Sequence, residues 1–147
     1  MDKNIKTFKQ VLNFLNGLPD INLGGCGISL LSMIRWLKKN KGINKFTMLF
    51  LYNCEENFIN NGKALKNKKG DIIAPTHCGL IRNGKLTDST GKISSLEYNW
   101  TQKVTDETFL MDMINNIETW NLSFDRELIY KIGERLGIEL NGIVREY

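Results

Sequence analysis

The stretch Leu23-Gly24-Gly25-Cys26-Gly27-Ile28 runs without a break into Ser29-Leu30-Leu31-Ser32-Met33-Ile34-Arg35-Trp36-Leu37-Lys38-Lys39, and its reading decides the fold. Seven of the ten positions from Ile28 to Leu37 are apolar, and the three exceptions, Ser29, Ser32 and Arg35, recur every third residue as a narrow polar stripe. That pattern predicts a mostly buried helix. Lys38 and Lys39 fall in its last turn, where cations suit the helix dipole, and Gly42 follows as a C-terminal stop. Cys26 then opens the helix. Unpaired N–H groups and the positive end of the dipole favour a thiolate over a thiol there, so the position primes the sulfur as a nucleophile. The flanking glycines would let a substrate backbone come close. A small apolar residue packed at a tight loop-to-helix junction would account for Cys26 equally well, so the decision rests on the rest of the chain.

Outward from this helix, residues 5–17 carry Phe8, Val11, Leu12, Phe14 and Leu15 at helical spacing, ended by Gly17 and Pro19, which predicts an amphipathic first helix. Phe46-Thr47-Met48-Leu49-Phe50-Leu51-Tyr52 is a short apolar run rich in strand formers and predicts a buried strand. Residues 55–72 are polar and rich in Lys, Asn and Gly, the composition of a short helix and an exposed loop. Its lysines, Lys63, Lys66, Lys68 and Lys69, have no aromatic residues between them. That argues against nucleic-acid binding and leaves a solvated loop, or a grip for an acidic partner.

The segment Pro75-Thr76-His77-Cys78-Gly79-Leu80-Ile81-Arg82-Asn83-Gly84-Lys85-Leu86-Thr87-Asp88-Ser89-Thr90-Gly91 is the informative one. Asn83-Gly84 between two short strand-like runs signals a two-residue hairpin turn, because both central residues of a type I′ turn need positive φ. Counting from that turn sets Arg82 opposite Lys85, Leu80 opposite Thr87, Gly79 opposite Asp88 and His77 opposite Thr90. Alternation puts His77, Gly79 and Ile81 on one sheet face with Leu86, Asp88 and Thr90. His77, the only histidine, thereby becomes the diagonal neighbour of Asp88 across a glycine, at about 7–8 Å between backbones. Imidazole and carboxylate can close that gap.

The remainder reads as helices. Thr105 can cap a segment that carries Phe109, Leu110, Met113, Ile114, Ile117 and Trp120 on its apolar side, and Ser123 can cap another with Phe124, Leu128, Ile132 and Leu136, ended by Gly137. Trp100 and Trp120 suit core or lid positions, and Ile138–Tyr147 a last strand or a loose tail. The expected architecture is α+β: the nucleophile at a helix N-terminus, packed on a small antiparallel sheet, with C-terminal helices added. The 147 residues suit one domain, a core over about 5–104 and a helical segment over about 105–137.

Composition narrows the function. No run approaches the roughly twenty apolar residues of a membrane helix, and Met1-Asp2-Lys3-Asn4 opens a polar segment without a signal-peptide core, so no membrane association and a cytoplasmic location are expected. Three scattered cysteines, at 26, 54 and 78, build no disulfide framework and are expected reduced. As metal donors, Cys26, Cys54, His77 and Cys78 lack a Cys-x-x-Cys pair, and neighbours His77 and Cys78 point to opposite strand faces, so no metal site is expected. Charge is asymmetric: residues 1–103 carry 16 Lys/Arg against 7 Asp/Glu, and residues 104–147 carry 4 against 9, so the acidic C-terminal segment could dock on the basic body.

A thiolate at a helix N-terminus, a histidine on one strand and a carboxylate on the next supply the parts of a nucleophilic mechanism that needs no cofactor. Cys26 would be the nucleophile, His77 the proton acceptor, and Asp88 the group that orients the ring. The Cys26 backbone N–H, with Asn22 from the preceding loop, would stabilise the oxyanion. The order Cys, His, Asp, with Cys26-Gly27-x-x-x-Leu31-x-Met33-Ile34-x-x-Leu37 followed by His77 through Asp88-Ser89-Thr90-Gly91, resembles the papain-like cysteine enzyme superfamily. Within it the chain is similar to the bacteriocin-processing peptidases over about residues 20–91, and transglutaminase-like and cell-wall amidase branches share the order. The resemblance implies a papain-like core and a thioester-forming hydrolase or acyltransferase acting on a peptide or protein substrate, at a peptide, isopeptide or amide bond. Those peptidases generally place a glutamine six residues before the cysteine, where this chain has Asp20. A catalytically inactive binding or inhibitor protein on the same scaffold, acting on a macromolecular partner, is the alternative.

Overall fold

A computed structural model describes residues 5–53, 58–59, 66–67 and 69–143. Helix α1 (Phe8–Asn16) starts from a reciprocal cap in which the Gln10 N–H donates to the Thr7 hydroxyl and the Gln10 side chain accepts from the Thr7 N–H. Helix α2 (Cys26–Lys41) ends on Gly42, left-handed at φ 64°. Strands β1 (Thr47–Tyr52), β4 (His77–Arg82), β5 (Lys85–Asp88), β6 (Gly91–Lys92) and β7 (Trp100–Val104) form one antiparallel sheet in the order β6-β5-β4-β1-β7. A second, two-stranded sheet pairs β2 (Phe58–Ile59) with β3 (Lys66–Asn67). Helix α3 (Glu107–Asn116), a 3₁₀ turn (Asn121–Phe124) and helix α4 (Arg126–Leu136) complete the described residues. The class is α+β, as expected.

Helix α2 is the hub. Ile28, Leu30, Leu31, Met33, Ile34, Trp36 and Leu37 are each at most 1% exposed, and burial of each such side chain stabilises the fold by about 1.5–3 kcal/mol. Of the polar stripe, Ser32 is buried and donates to the Ile28 carbonyl at 2.7 Å, whereas Arg35 reaches the Glu107 carboxylate at 3.1 Å. Strand β1 lies between β4 and β7 and is buried on both faces because a cluster of apolar side chains packs on each. Met48 and Phe50 join the main core, where the Phe50 ring lies 5.2 Å from Phe109 and 6.4 Å from Trp120. Leu49 and Leu51 meet Leu86 in a smaller cluster on the opposite face. The main core runs from Val11 to Ile143 and includes Leu110, Ile114, Ile132 and Leu136, so the C-terminal helices share it with the N-terminal ones.

Several expectations are corrected. The apolar face through Trp120 is not one helix: α3 ends at Asn116 and the chain turns at Ile117–Trp120. Asp106 rather than Thr105 caps α3, accepting from the Thr108 N–H, and Asp125 rather than Ser123 caps α4, accepting from the Leu128 N–H. Carboxylates at these positions bond the free N–H groups and also suit the dipole. Residues 100–104, to which the sequence assigns no element, pair with β1 as an edge strand. Within 55–72 the described pairs 58–59 and 66–67 are strand, not helix; Lys63 and Lys68 lie outside the described residues, as does Cys54. Residues 138–143 form no strand, but Ile138 and Ile143 are buried. Among the described residues no helix is long and apolar enough to cross a membrane.

Candidate active site

Cys26 is the first residue of α2, and the preceding Gly25 supplies no side-chain cap. The opening N–H groups of the helix therefore point outward without an intrahelical acceptor. The Gly27 N–H bonds to the Cys26 sulfur. The glycines have a different use from the one expected. A Cβ on Gly27 would lie 2.5 Å from the Trp120 ring, one on Gly25 would lie 2.7 Å from Leu122, and Gly24, at φ 102°, packs against Asn121. The Leu122 N–H also donates to the Gly24 carbonyl at 3.2 Å. The space over these glycines is filled by Trp120, Asn121 and Leu122 of the chain itself.

The hairpin places the second and third residues. Asn83 and Gly84 take φ 54° and 74°, and the register sets Leu80 opposite Thr87 and Arg82 opposite Lys85, as the turn dictates. His77 opens β4, Asp88 closes β5, and His77 Nε2 lies 2.7 Å from Asp88 Oδ2, with both side chains buried. Thr90 does not stand opposite His77. The chain reverses at once through Asp88-Ser89-Thr90-Gly91, pairing Asp88 with Gly91, which takes φ 104°. The cause is local: Asp88 Oδ1 accepts from the Thr90 N–H at 2.8 Å and from its hydroxyl at 2.5 Å, the bonding that makes aspartate a turn former. The same bonds hold the carboxylate so that its other oxygen faces the imidazole.

Cys26 and His77 approach from opposite sides of the sheet and meet at its end. His77 lies opposite Leu51 and shares that residue's face, whereas Cys78 lies opposite Phe50 and faces α2. Because β4 begins at His77, both side chains reach the helix N-terminus. The Cys78 thiol and the His77 ring are the side chains that act on the Cys26 sulfur, and both favour its thiolate. With Nε2 bonded to Asp88, Nδ1 is the ring atom left for sulfur. The sequence weighed Cys78 only as a metal donor, and the register sets it and His77 on opposite faces as alternation requires.

Electrostatics follow from these contacts. The Cys78 hydrogen bond, with the bond and charge of His77 and the Gly27 N–H, outweighs burial and lowers the Cys26 pKa to about 6. Burial pulls the other way on His77, but its bonds to Asp88 and Cys26 and their negative charges raise its pKa to about 9. Asp88 is lowered: burial would raise it, and the bonds from His77 and Thr90 prevail. Cys78 is pushed up by burial and by the neighbouring Cys26 thiolate, so it stays a thiol and a donor. Near pH 7 the site is a thiolate facing an imidazolium. Burial, then the charges of Glu97, Asp88 and Cys26, raise the pKa of Tyr98, which packs against the Leu49, Leu51 and Leu86 cluster.

Asn22 sits beside the carboxylate turn. Its Nδ2 donates to the Ser89 hydroxyl at 2.9 Å and ties the loop before Cys26 to the loop after Asp88, while its buried Oδ1 has no partner among the described residues. Asp20 is exposed, in a left-handed turn at φ 57°. Among the described residues no group of three or more His, Cys, Asp or Glu is arranged to hold a metal ion. Comparison with protein-family models, with curated proteins and with solved structures found no match to this chain.

Proposed function

We propose that this protein is a papain-like thiol hydrolase or acyltransferase that opens a peptide, isopeptide or amide bond of a peptide or protein substrate through a thioester on Cys26. The observation that carries this reading is the buried 2.7 Å bond between His77 Nε2 and Asp88 Oδ2, with His77 also favouring the thiolate of Cys26 at the N-terminus of α2. The thiolate adds to the carbonyl carbon, and the oxygen gains negative charge beside the Cys26 N–H at the helix N-terminus. Asn22 can supply the second N–H of its amide from the adjoining loop. His77, charged at the start, gives its proton to the departing amine as the thioester forms. It then takes a proton from water or an acceptor amine, which attacks the thioester and frees the sulfur. Asp88 holds the ring and supports its positive charge throughout. Free thiols at Cys26 and Cys78 suit the reducing cytoplasm as the place of work.

The test is acylation. Incubation with activated peptide esters should add an acyl group to Cys26 that hydroxylamine removes, and Cys26→Ala should accept none while remaining folded. Acylation spread evenly over the cysteines, or an acyl group that survives hydroxylamine, contradicts the proposal. The exposed Asp20, in place of the glutamine of similar peptidases, and the engagement of Asn22 with Ser89 favour a second reading. On that reading the scaffold binds a macromolecular partner without turnover, and its binding survives Cys26→Ser unchanged.

A further inference from the structure

Asn22 is held by a single side-chain bond, to a residue with no role in the chemistry above. Its Nδ2 donates to the Ser89 hydroxyl at 2.9 Å across 67 positions of sequence. Ser89 is 3% exposed and stands inside the turn Asp88–Gly91, whose end residues pair and whose start is fixed by the two bonds from Thr90 to Asp88 Oδ1. Asn22 is half-buried, in a turn closed by the Leu23 N–H on the Asp20 carbonyl at 2.8 Å. That turn folds back on the residue before the nucleophile, since a Cβ on Gly25 would lie 2.6 Å from the Ile21 carbonyl oxygen. One hydrogen bond thus joins the turn that presents Cys26 to the turn that presents Asp88. We propose that Ser89 is a positioning residue for acyl transfer: by accepting one N–H of Asn22 it fixes the carboxamide so that the second N–H meets the oxyanion formed at Cys26. The proposal rests on the thioester chemistry proposed for Cys26 and deepens it, by naming the group that aims the second oxyanion donor.

Stability does not account for the pair. Asn22 Oδ1 is buried and has no partner among the described residues, and an unanswered buried acceptor costs more than a neutral side-chain bond contributes. A buried amide kept at no gain in stability is the mark of a group retained for its chemistry. That chemistry needs a fixed donor, because an N–H lowers the barrier only when it already points at the place where charge will develop. A carboxamide free to turn over would present its oxygen to the anion as readily as its nitrogen. The Ser89 hydroxyl settles the choice. As an acceptor it draws the nitrogen end to the Asp88 turn and leaves the oxygen inside the protein, away from the developing charge. The bond uses one of the two amide N–H groups, and the other has no partner among the described residues.

The experiment compares two reactions of Cys26 in the full chain: acylation by an activated peptide ester, which passes through an oxyanion, and alkylation by iodoacetamide, which displaces iodide without one. Ser89→Ala should slow acylation by about 10–100-fold, the effect of a misplaced group, and change alkylation by less than about twofold. Asn22→Ala should slow acylation by about 10²–10³-fold, the loss of one oxyanion donor. The double variant should be no slower than Asn22→Ala, because Ser89 acts only through the amide. Its Tm should stay within about 2–4 °C of the unsubstituted chain, since removal of both partners of a bond is nearly neutral. Acylation that Ser89→Ala leaves unchanged, alkylation that falls in step with acylation, or single effects that multiply in the double variant each overturns the proposal. A larger fall in Tm, or failure of the double variant to fold, shows a structural pair and overturns it as well. If Ser89→Ala alone does not fold, the decision passes to the double variant against Asn22→Ala. A chain that never forms the thioester removes the proposed function and this inference with it; acylation at the full rate in Ser89→Ala removes this inference alone.

Discussion

His77→Ala tests the centre of the site. With the Cys26 pKa at about 6, half of the sulfur is thiolate at pH 6 and nearly all at pH 8, so its alkylation rate should rise only about twofold across that interval. A cysteine at the ordinary value of 9.0 would rise about 90-fold over the same interval. Access to the buried sulfur scales both rates alike, so the ratio reports ionisation alone. The interval also stays below the His77 pKa of about 9, so the imidazolium is present throughout. An opposite charge and hydrogen bond at this range shift a pKa by about 1–3 units, so loss of His77 should raise the ratio to about 10–90-fold. Cys78→Ala should raise it too, because the thiol of Cys78 is the strongest of the donors to Cys26. The assay is iodoacetamide labelling read peptide by peptide in a mass spectrometer. A ratio above about 10 in the unsubstituted protein, or one that His77→Ala leaves unchanged, refutes the thiolate–imidazolium pair.

Acyl transfer should follow a bell-shaped pH profile. The Cys26 pKa is lowered, so activity appears as pH rises through about 6; that of His77 is raised, so activity disappears as pH rises through about 9. A single rising limb with no fall at high pH would show that the imidazolium is not required. Asp88→Asn should keep the fold yet cut the acylation rate by up to about 10⁴-fold, and should draw the upper limb towards the ordinary histidine range. An unmoved upper limb would show that Asp88 does not support the charge on His77. Gly27→Ala drives a methyl to 2.5 Å from the Trp120 ring, an overpacking that costs about 1–3 kcal/mol and lowers Tm by roughly 2–12 °C. An unchanged Tm in calorimetry would mean that Trp120 does not press on the nucleophile turn.

What the sequence disclosed, and what it hid, divides along the range of the interactions. The register from Leu80 to Thr87 was legible because Asn83-Gly84 imposes it locally, and α2 was legible because its burial is written at helical spacing. The turn at Asp88–Gly91 was missed, although its signal is local as well: an aspartate two residues before a threonine, then a glycine. Strand β7 was not legible, because Trp100–Val104 is an edge strand of alternating exposure whose identity depends on β1, nearly fifty residues earlier. The role of Cys78 was hidden for a third reason. Face alternation sets His77 and Cys78 on opposite sides of β4, yet both stand at its start and both lower the pKa of Cys26.

The C-terminal third packs on the turn that presents Cys26, and the magnitudes say how it is held. The acidic segment meets the basic body through Glu107, bonded to Arg35 at 3.1 Å and Lys38 at 3.3 Å, and Arg35 also donates to the Glu139 and Asn141 carbonyls. Partly exposed ion pairs of this kind contribute about 0–1 kcal/mol each, which is too little to hold a helix terminus in register. Trp120 is 2% exposed and Leu110, Met113, Ile114 and Ile132 are fully buried, and each large apolar side chain removed from water contributes about 1.5–3 kcal/mol. The apolar core therefore fixes the segment, and the charges orient it. Since Trp120 and Leu122 occupy the space above Gly27 and Gly25, any loosening of α3 or α4 is felt first at the turn that presents Cys26. The geometry of Cys26, His77 and Asp88 and the packing of the C-terminal segment are one property of the fold, and a substitution that weakens the second should narrow the pH profile, raising the lower limb from about 6 and drawing the upper limb down from about 9, before it unfolds the protein.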